Sequence, residues 1–288
     1  MSLVTVLAEV AAVVLAMYVL ALPTVLGREA LAGARGAVRS NVRAVAPTLV
    51  LLGAVLAVNS VLRDVGVELS WLIGVNVTGD IYAVEGRLVA WIQSVSTPFL
   101  TDYFTVVYVF GYAFLLTFPV LAYLLVDDSR PLRTLLVAYA LNYCLGLVCY
   151  VLFVAYGPRN FMPELVEPLL YTNWPQSQLL TGSVNRNTNV FPSLHTSLSV
   201  TVALVAYRFR AVYPRWPVVA GVLAASITVS TMYLGIHWAT DIVGGVLLAA
   251  LAVAVAARAV EEAPRNLRAN GSALLGRWHE TASRWFRE

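Results

Sequence analysis

The sequence predicts an all-α polytopic membrane helical bundle of about seven transmembrane helices, and three observations carry that expectation. Hydrophobic residues make up 59% of the 288-residue chain and charged residues only 12%, far from the balance of a soluble domain. Apolar runs long enough to cross a bilayer core of ~30 Å recur along the chain, and in lipid such runs must satisfy their own backbone polar groups, so they read as helices rather than strands. All 19 basic residues are arginine, and they divide unevenly between alternate loops. With Arg28–Arg43 in the cytosol, only Arg63, Arg87, Arg159 and Arg186 fall outside. The positive-inside rule then puts the N-terminus outside and the C-terminus in the cytosol. The net charge of +3 follows from this asymmetry and gives no argument for a nucleic-acid partner.

The first run, Leu3–Leu26, lacks a basic leading segment and exceeds the ~7–15 apolar residues of a signal peptide, so an uncleaved helix is expected. Residues 1–43 are read as this extra helix with a basic cytosolic loop, 44–260 as the core of the bundle, and 261–288 as an amphipathic cytosolic tail. The second run is Val45–Leu62. The following outer loop, Arg63–Asp102, mixes Trp71, Ile73, Ile81, Tyr82, Leu88, Trp91 and Ile92 with polar residues, the pattern of helices lying along lipid headgroups. Its lone carboxylates (Asp64, Asp80, Glu85, Asp102), like Glu9, read as solvated or interfacial. Asn76-Val77-Thr78 matches a glycosylation sequon, for which chance is a sufficient explanation.

Phe104–Val126 and Leu135–Tyr156 are the next two runs. Cys144 and Cys149 lie within the latter; on one helix their separation forbids a disulfide, and two small buried hydrophobes are expected. A second outer loop, Gly157–Val190, contains Arg159, Glu164, Glu167, Trp174 and Arg186, and four prolines stiffen it. A loop of this length is more often functional than idle. The last three runs are Phe191–Tyr207, Pro217–Leu234 and His237–Val260, with Gly244-Gly245 in the last suiting close helix packing.

The candidate chemistry sits at the outer ends of these last runs. Pro192 suits a first helical turn, which places Ser193 and nearby amides at the positive end of a helix dipole, a ready anion site. His195 is then within reach of a phosphate oxygen and able to protonate a leaving alkoxide. His237 and Asp241 share a helix face at i, i+4; the carboxylate holds one imidazole nitrogen and leaves the other as a nucleophile. Arg159 offers a fork of donors that matches phosphate oxygens. The third histidine, His279, lies in the tail and carries no role. Asn185 and Asn189 read as loop caps.

Phe191-Pro192-Ser193-Leu194-His195-Thr196 is similar to the second signature of the type-2 phosphatidic acid phosphatase superfamily, which includes the vanadium haloperoxidases. Tyr233-Leu234-Gly235-Ile236-His237-Trp238-Ala239-Thr240-Asp241-Ile242-Val243-Gly244-Gly245 resembles its third, and Gly157-Pro158-Arg159 falls where the first belongs. The resemblance spans roughly residues 101–260 and implies a six-helix core with the N-terminal helix outside it. It also implies that His237 attacks phosphorus and becomes a phosphohistidine, oriented by Asp241, with His195 as general acid and Arg159 and Ser193 binding phosphate oxygens. The implied enzyme is a lipid phosphate phosphatase working at the outer leaflet without cofactor or metal. Three departures stand out. Leu152 occupies the first signature's lysine, Asn160 follows Arg159, and Thr231 occupies the third signature's arginine. Arg186 is the candidate replacement for a lost positive charge. Leu194 between Ser193 and His195, and Pro158 before Arg159, look like the inositol phosphorylceramide synthase branch, which implies an inositol-phosphate (phospholipid headgroup) transferase as the alternative.

Four other classes compete. A metal-dependent seven-helix hydrolase would use His195, His237 and Asp241 as ligands. A transporter would show Gly/Pro-interrupted helices at matching positions in two halves, which are not evident. A retinal-type receptor needs a lysine for its Schiff base, and the chain has none. A non-catalytic member of the fold is the fourth, favoured by the missing lysine and arginine.

Overall fold

The computed structural model describes residues 2–181 and 190–285. In chain order the elements are α1 (Leu3–Ala21), running into a π-helical turn at Leu22–Leu26, then α2 (Arg28–Ile73), β1 (Val75–Asn76), α3 (Thr78–Glu85) and α4 (Leu88–Gln93). Next come α5 (Pro98–Val106), a second π-helical turn at Val107–Gly111, α6 (Tyr112–Leu124), α7 (Arg130–Leu152) and β2 (Phe153–Val154). Three short helices follow, α8 (Pro158–Phe161), α9 (Leu169–Asn173) and α10 (Ser177–Thr181), and then α11 (Leu194–Arg208), α12 (Trp216–Tyr233) and α13 (Ala239–Trp285).

Among the described residues, six helices are long and apolar enough to cross a membrane: Leu3–Leu26, Asn41–Leu62, Pro98–Leu124, Arg130–Leu152, Trp216–Tyr233 and Ala239–Glu262. The seventh expected helix exists as α11, but its 15 residues rise only about 22 Å, short of the bilayer core. α11 packs against α7, α12 and α13 and buries Thr196, Ser197, Ser199 and Thr201. Protein covers this polar face, which is why so polar a helix is tolerated there. Asn142 of α7 meets this polar face: its Nδ2 donates to Thr201 Oγ1 at 3.0 Å, and its Oδ1 accepts from Ser197 Oγ.

The α1 and α2 spans are only 6% and 11% buried, against 39–50% for the other four, so these two helices lie at the periphery. Large apolar side chains such as Val4, Leu20, Val50, Val61 and Leu247 stand exposed on outward faces. An apolar surface of that extent is suited to lipid. Cys144 is exposed and Cys149 half-buried, both as free thiols, so the expected burial holds for neither: they face outward from α7, where lipid takes the place of a protein core.

Local structure departs from expectation in four further places. The basic segment Arg28–Arg43, expected as a loop, is the first part of the unbroken α2. Likewise α13 runs through residue 260 without a break, to Trp285. A two-residue parallel pair, Val75↔Phe153 and Asn76↔Val154, joins the ends of α2 and α7, although strands were not expected. The Gly157–Val190 loop, expected to lack helices, holds α8, α9 and α10, which close part of its backbone hydrogen bonding locally.

The main core lies in the half of the bundle away from these loops. Trp216 at the start of α12 packs its ring 4.8 Å from Phe118 and 6.3 Å from Phe114, with Leu115, Leu135 and Leu198 buried around them. At this end, just before α7, Asp128 Oδ1 accepts from Arg130 N at 3.0 Å, and hydrogen bonding from Arg130 holds the Asp128 carboxyl below its ordinary value. Tyr213 donates to Ala122 O, and burial pushes its hydroxyl pKa up to about 12. Because Trp216 is fully buried in an aromatic cluster, Trp216→Ala should cost about 3–5 kcal/mol of stability, read as a lowered melting temperature of the detergent-solubilised protein.

Candidate active site

The third-motif segment is built by a chain reversal. α12 ends at Tyr233, Gly235 turns with φ +73°, and the amides of Ile236 and His237 both return to Thr231 O, at 2.9 and 3.1 Å. A side chain at Gly235 would be strained by that φ and would also meet Val166 Cγ1 at 2.8 Å. α13 then begins at Ala239, so His237 stands just before the helix and Asp241 in its first turn. His237 Nδ1 lies 3.2 Å from Asp241 Oδ2, and the same oxygen accepts from Trp238 N at 2.9 Å. The Asp241 side chain is fully buried and that of His237 is 5% exposed. With the carboxylate taking the Nδ1–H, the imidazole presents its Nε2 lone pair. Asp241 Oδ1 is buried without a hydrogen-bond partner among the described residues.

The second-motif segment meets this one directly. Ser193 caps α11, its Oγ accepting from Thr196 N at 3.3 Å and its carbonyl from Ser197 N at 2.9 Å. Pro192, expected in the first helical turn, instead precedes the cap, because a serine side chain can satisfy an orphan amide and proline cannot. Ser193 N donates to Asp241 O at 3.0 Å, tying the two helix starts together. Gly245 permits the approach, since a Cβ there would sit 2.6 Å from Ser193 O. The His195 ring is stacked on Tyr108 at 4.7 Å and tilted against Tyr112 at 4.5 Å, and its centroid lies 6.4 Å from that of His237. Tyr108 belongs to the π-helical turn before α6 and Tyr112 follows it; such irregular turns often re-aim side chains at functional sites.

Arg159 on α8 adjoins the same place. Its amide donates to Gly235 O at 3.2 Å, two residues before His237. Its guanidinium lies 4.5 Å over the Tyr171 ring, and Nη2 donates to Tyr171 Oη at 3.1 Å. Nη1 is buried with no hydrogen-bond partner among the described residues. The fold thus gathers His195, His237, Asp241 and Ser193, with the Arg159 backbone against the third-motif turn. Arg186 lies outside the described residues, as do Asn185 and Asn189. The two of the three departures that replace a basic residue are neutral in the structure too: Leu152 ends α7 half-exposed, and Thr231 is buried with Oγ1 donating to Thr228 O. Among the described residues, no three His, Cys, Asp or Glu side chains gather closely enough to hold a metal ion.

Several supporting residues escaped sequence reasoning. Glu85, expected as a solvated or interfacial carboxylate, accepts from Ala239 N at 2.8 Å and from Thr240 N. Gln93 donates through Nε2 to Glu167 O at 3.0 Å and Tyr233 O at 2.9 Å, and accepts from Glu167 N at 2.9 Å. Trp238 Nε1 donates to Tyr156 O at 2.8 Å. No periodicity or spacing marks any of these pairings. The only available signal was the presence of polar residues inside largely apolar stretches, which should find partners when buried.

A family model described as the PAP2 superfamily matches residues 81–255, more than half of the chain. No curated protein and no solved structure matches it. On the geometry of the two helix starts, Gly245→Val should push α11 from α13 and break the Ser193–Asp241 bond. The expected loss is about 1–3 kcal/mol of stability, seen as a lower melting temperature, together with a greater fractional loss of turnover in the protein that stays folded.

Proposed function

The chain belongs to the PAP2 superfamily, whose members are usually phosphatases, and from that premise we propose that it transfers the phosphoryl group of a lipid phosphate ester through a phosphohistidine on His237. The observation that carries this reading is the pairing of His237 Nδ1 with the buried Asp241 carboxylate while the His195 ring stands 6.4 Å away. That spacing leaves room for one phosphoryl group between a nucleophile and an acid.

In the first step the Nε2 lone pair of His237 attacks phosphorus and the P–O bond to the lipid alcohol breaks. A proton from the His195 ring goes to the departing oxygen. Water or an acceptor alcohol then gives its proton to His195, its oxygen bonds phosphorus, and the P–N bond breaks to return His237. Asp241 orients the imidazole and balances the positive charge it develops. Arg159 and the exposed amides at the start of α11 neutralise phosphate oxygens, with the Ser193 O–H as a further donor and Arg186 as the candidate replacement for the missing basic residues. Phosphoryl transfer depends mostly on positioning and charge neutralisation, so the reaction as proposed needs no metal.

A lipid substrate suits the surroundings. Trp91, Val95 and Phe99, all strongly exposed, lie on α4, α5 and the turn between them, a surface suited to acyl chains that remain in the bilayer while the headgroup reaches the histidines. Arg130, Arg208 and Arg215 lie at the opposite end of the bundle, and by the positive-inside rule this supports an extracytoplasmic site. The likeness of Leu194 and Pro158 to the inositol phosphorylceramide synthase branch supports the alternative, an inositol-phosphate (phospholipid headgroup) transferase in which an alcohol replaces water.

His237→Ala should abolish turnover of a lipid phosphate by roughly 10³-fold or more while the protein stays folded, and the acid-labile phosphoprotein formed with radiolabelled substrate should vanish. Undiminished phosphate release would reject the nucleophile. His195→Ala should slow an alkyl phosphate by roughly 10²–10⁴-fold but p-nitrophenyl phosphate much less, because p-nitrophenolate leaves without a proton. Equal losses on both substrates would remove the acid role.

A further inference from the structure

The first turn of α13 uses its amides in an unusual way. Trp238 N is taken by Asp241 Oδ2, while Ala239 N and Thr240 N are taken by the two oxygens of Glu85. The orphan amides that make a helix N-terminus attractive to anions are therefore occupied by two carboxylates of the protein itself. Glu85 lies 154 positions before Ala239 in the chain and has no ion-pair partner among the described residues. Its charge rests on amides and the helix dipole alone. Two amide donors and the positive helix end hold this half-buried carboxylate in place of a cation.

Its placement is well defined. Glu85 ends α3, and the Gly86 amide returns to Tyr82 O at 2.7 Å as the chain turns away. The start of α3 is anchored through Thr78, whose Oγ1 donates to Asn76 Oδ1 at 2.8 Å and accepts from Tyr156 N at 3.0 Å. Tyr156 O in turn accepts from Trp238 Nε1, and the Tyr82 ring lies 6.3 Å from that of Trp238. Both ends of α3 thus bear on the three residues that follow His237.

We propose that Glu85 is a positioning residue for the nucleophile: by holding the Ala239 and Thr240 amides it locks the backbone turn that keeps His237 Nδ1 on Asp241. The inference rests on the phosphohistidine reading for its catalytic consequence, though not for its structural one. A small rotation of the first turn would lengthen the 3.2 Å His237–Asp241 contact and free the ring to turn, and misplacement by ~1 Å is enough to cost ~10²-fold in rate. Filling this helix end with a resident anion also directs substrate phosphate towards the α11 start and Arg159.

The test uses full-length protein in detergent micelles with Glu85→Gln and Glu85→Ala. Glutamine keeps one acceptor oxygen and places an amide N–H₂ against a backbone donor; alanine keeps neither. With p-nitrophenyl phosphate, kcat should fall by roughly 5- to 10-fold in the Gln variant and roughly 10- to 100-fold in the Ala variant, with KM within about twofold in both. The chain has three histidines, so histidine ring-¹⁵N spectra resolve each one. The His237 Nδ1–H signal, assigned by its absence in His237→Ala, should shift or broaden in Glu85→Ala while the His195 signal stays. Unchanged kcat and an unchanged His237 signal in both variants would overturn the proposal. A fall in kcat that only tracks loss of folded protein, with the His237 signal intact, would overturn it equally. If Glu85→Ala does not fold, Glu85→Gln decides on the same two readouts. If the wild type turns over no phosphate ester, the phosphohistidine reading falls, and the ring spectra still judge the positioning.

Discussion

The hydrogen bond from Ser193 N to Asp241 O is the contact on which the rest of the site depends. It joins the starts of two helices, each bringing one histidine, and fixes their separation at backbone distance. Only a residue without a side chain at Gly245 allows it, because any Cβ there would press on Ser193 O. In an apolar bundle this pairing is also obligatory, since an amide left unbonded there costs several kcal/mol. The same bond therefore serves stability and alignment, and the two histidine rings inherit their 6.4 Å spacing from it.

Charge is scarce in this molecule and is used locally. Among the described residues Arg159 meets the third-motif turn through its amide and rests its guanidinium on Tyr171, whereas the family signatures resembled here carry further basic residues at the positions of Leu152 and Thr231. One Arg159 nitrogen is tied to Tyr171 and another is buried without a partner among the described residues, which supports its proposed role with an anion. Helix-start amides supply further positive potential without a formal charge. Of the two helix starts, α13 is held by Asp241 and Glu85, and α11 is the one proposed to receive the anion. A site that works largely with dipoles can sit at the edge of a bilayer without the desolvation cost of several lysines and arginines.

The short elements outside the spans act as struts. α3 braces Trp238 and the first turn of α13, and Gln93 at the end of α4 clasps both the Glu167 backbone and Tyr233 O. Tyr108 in a π-helical turn and Tyr112 just after it hold the His195 ring. Each functional group is thereby held by a segment distant in sequence, and the catalytic geometry depends on the interfacial loops as much as on the membrane helices.

Composition and local pattern were sufficient for the helical bundle, for its lipid-facing surface, and for the identity of His195, His237, Asp241, Ser193 and Arg159 as candidate residues. Apolar run length, the i, i+4 spacing of His237 and Asp241, and the motif around Pro192 are local properties, legible in a single chain. Arginine asymmetry likewise needs no fold to be counted. What only the tertiary structure decided are pairings between residues with no fixed spacing: Glu85 with Ala239, Gln93 with Tyr233, Tyr108 with His195, Arg159 N with Gly235 O. The same limit explains why α11 is short and polar, why Cys144 faces outward, and why Arg28–Arg43 continues a helix. Whether a residue meets lipid, water or protein is set by what the rest of the chain places beside it, and hydrogen bonds across such distances leave no period in the sequence to read.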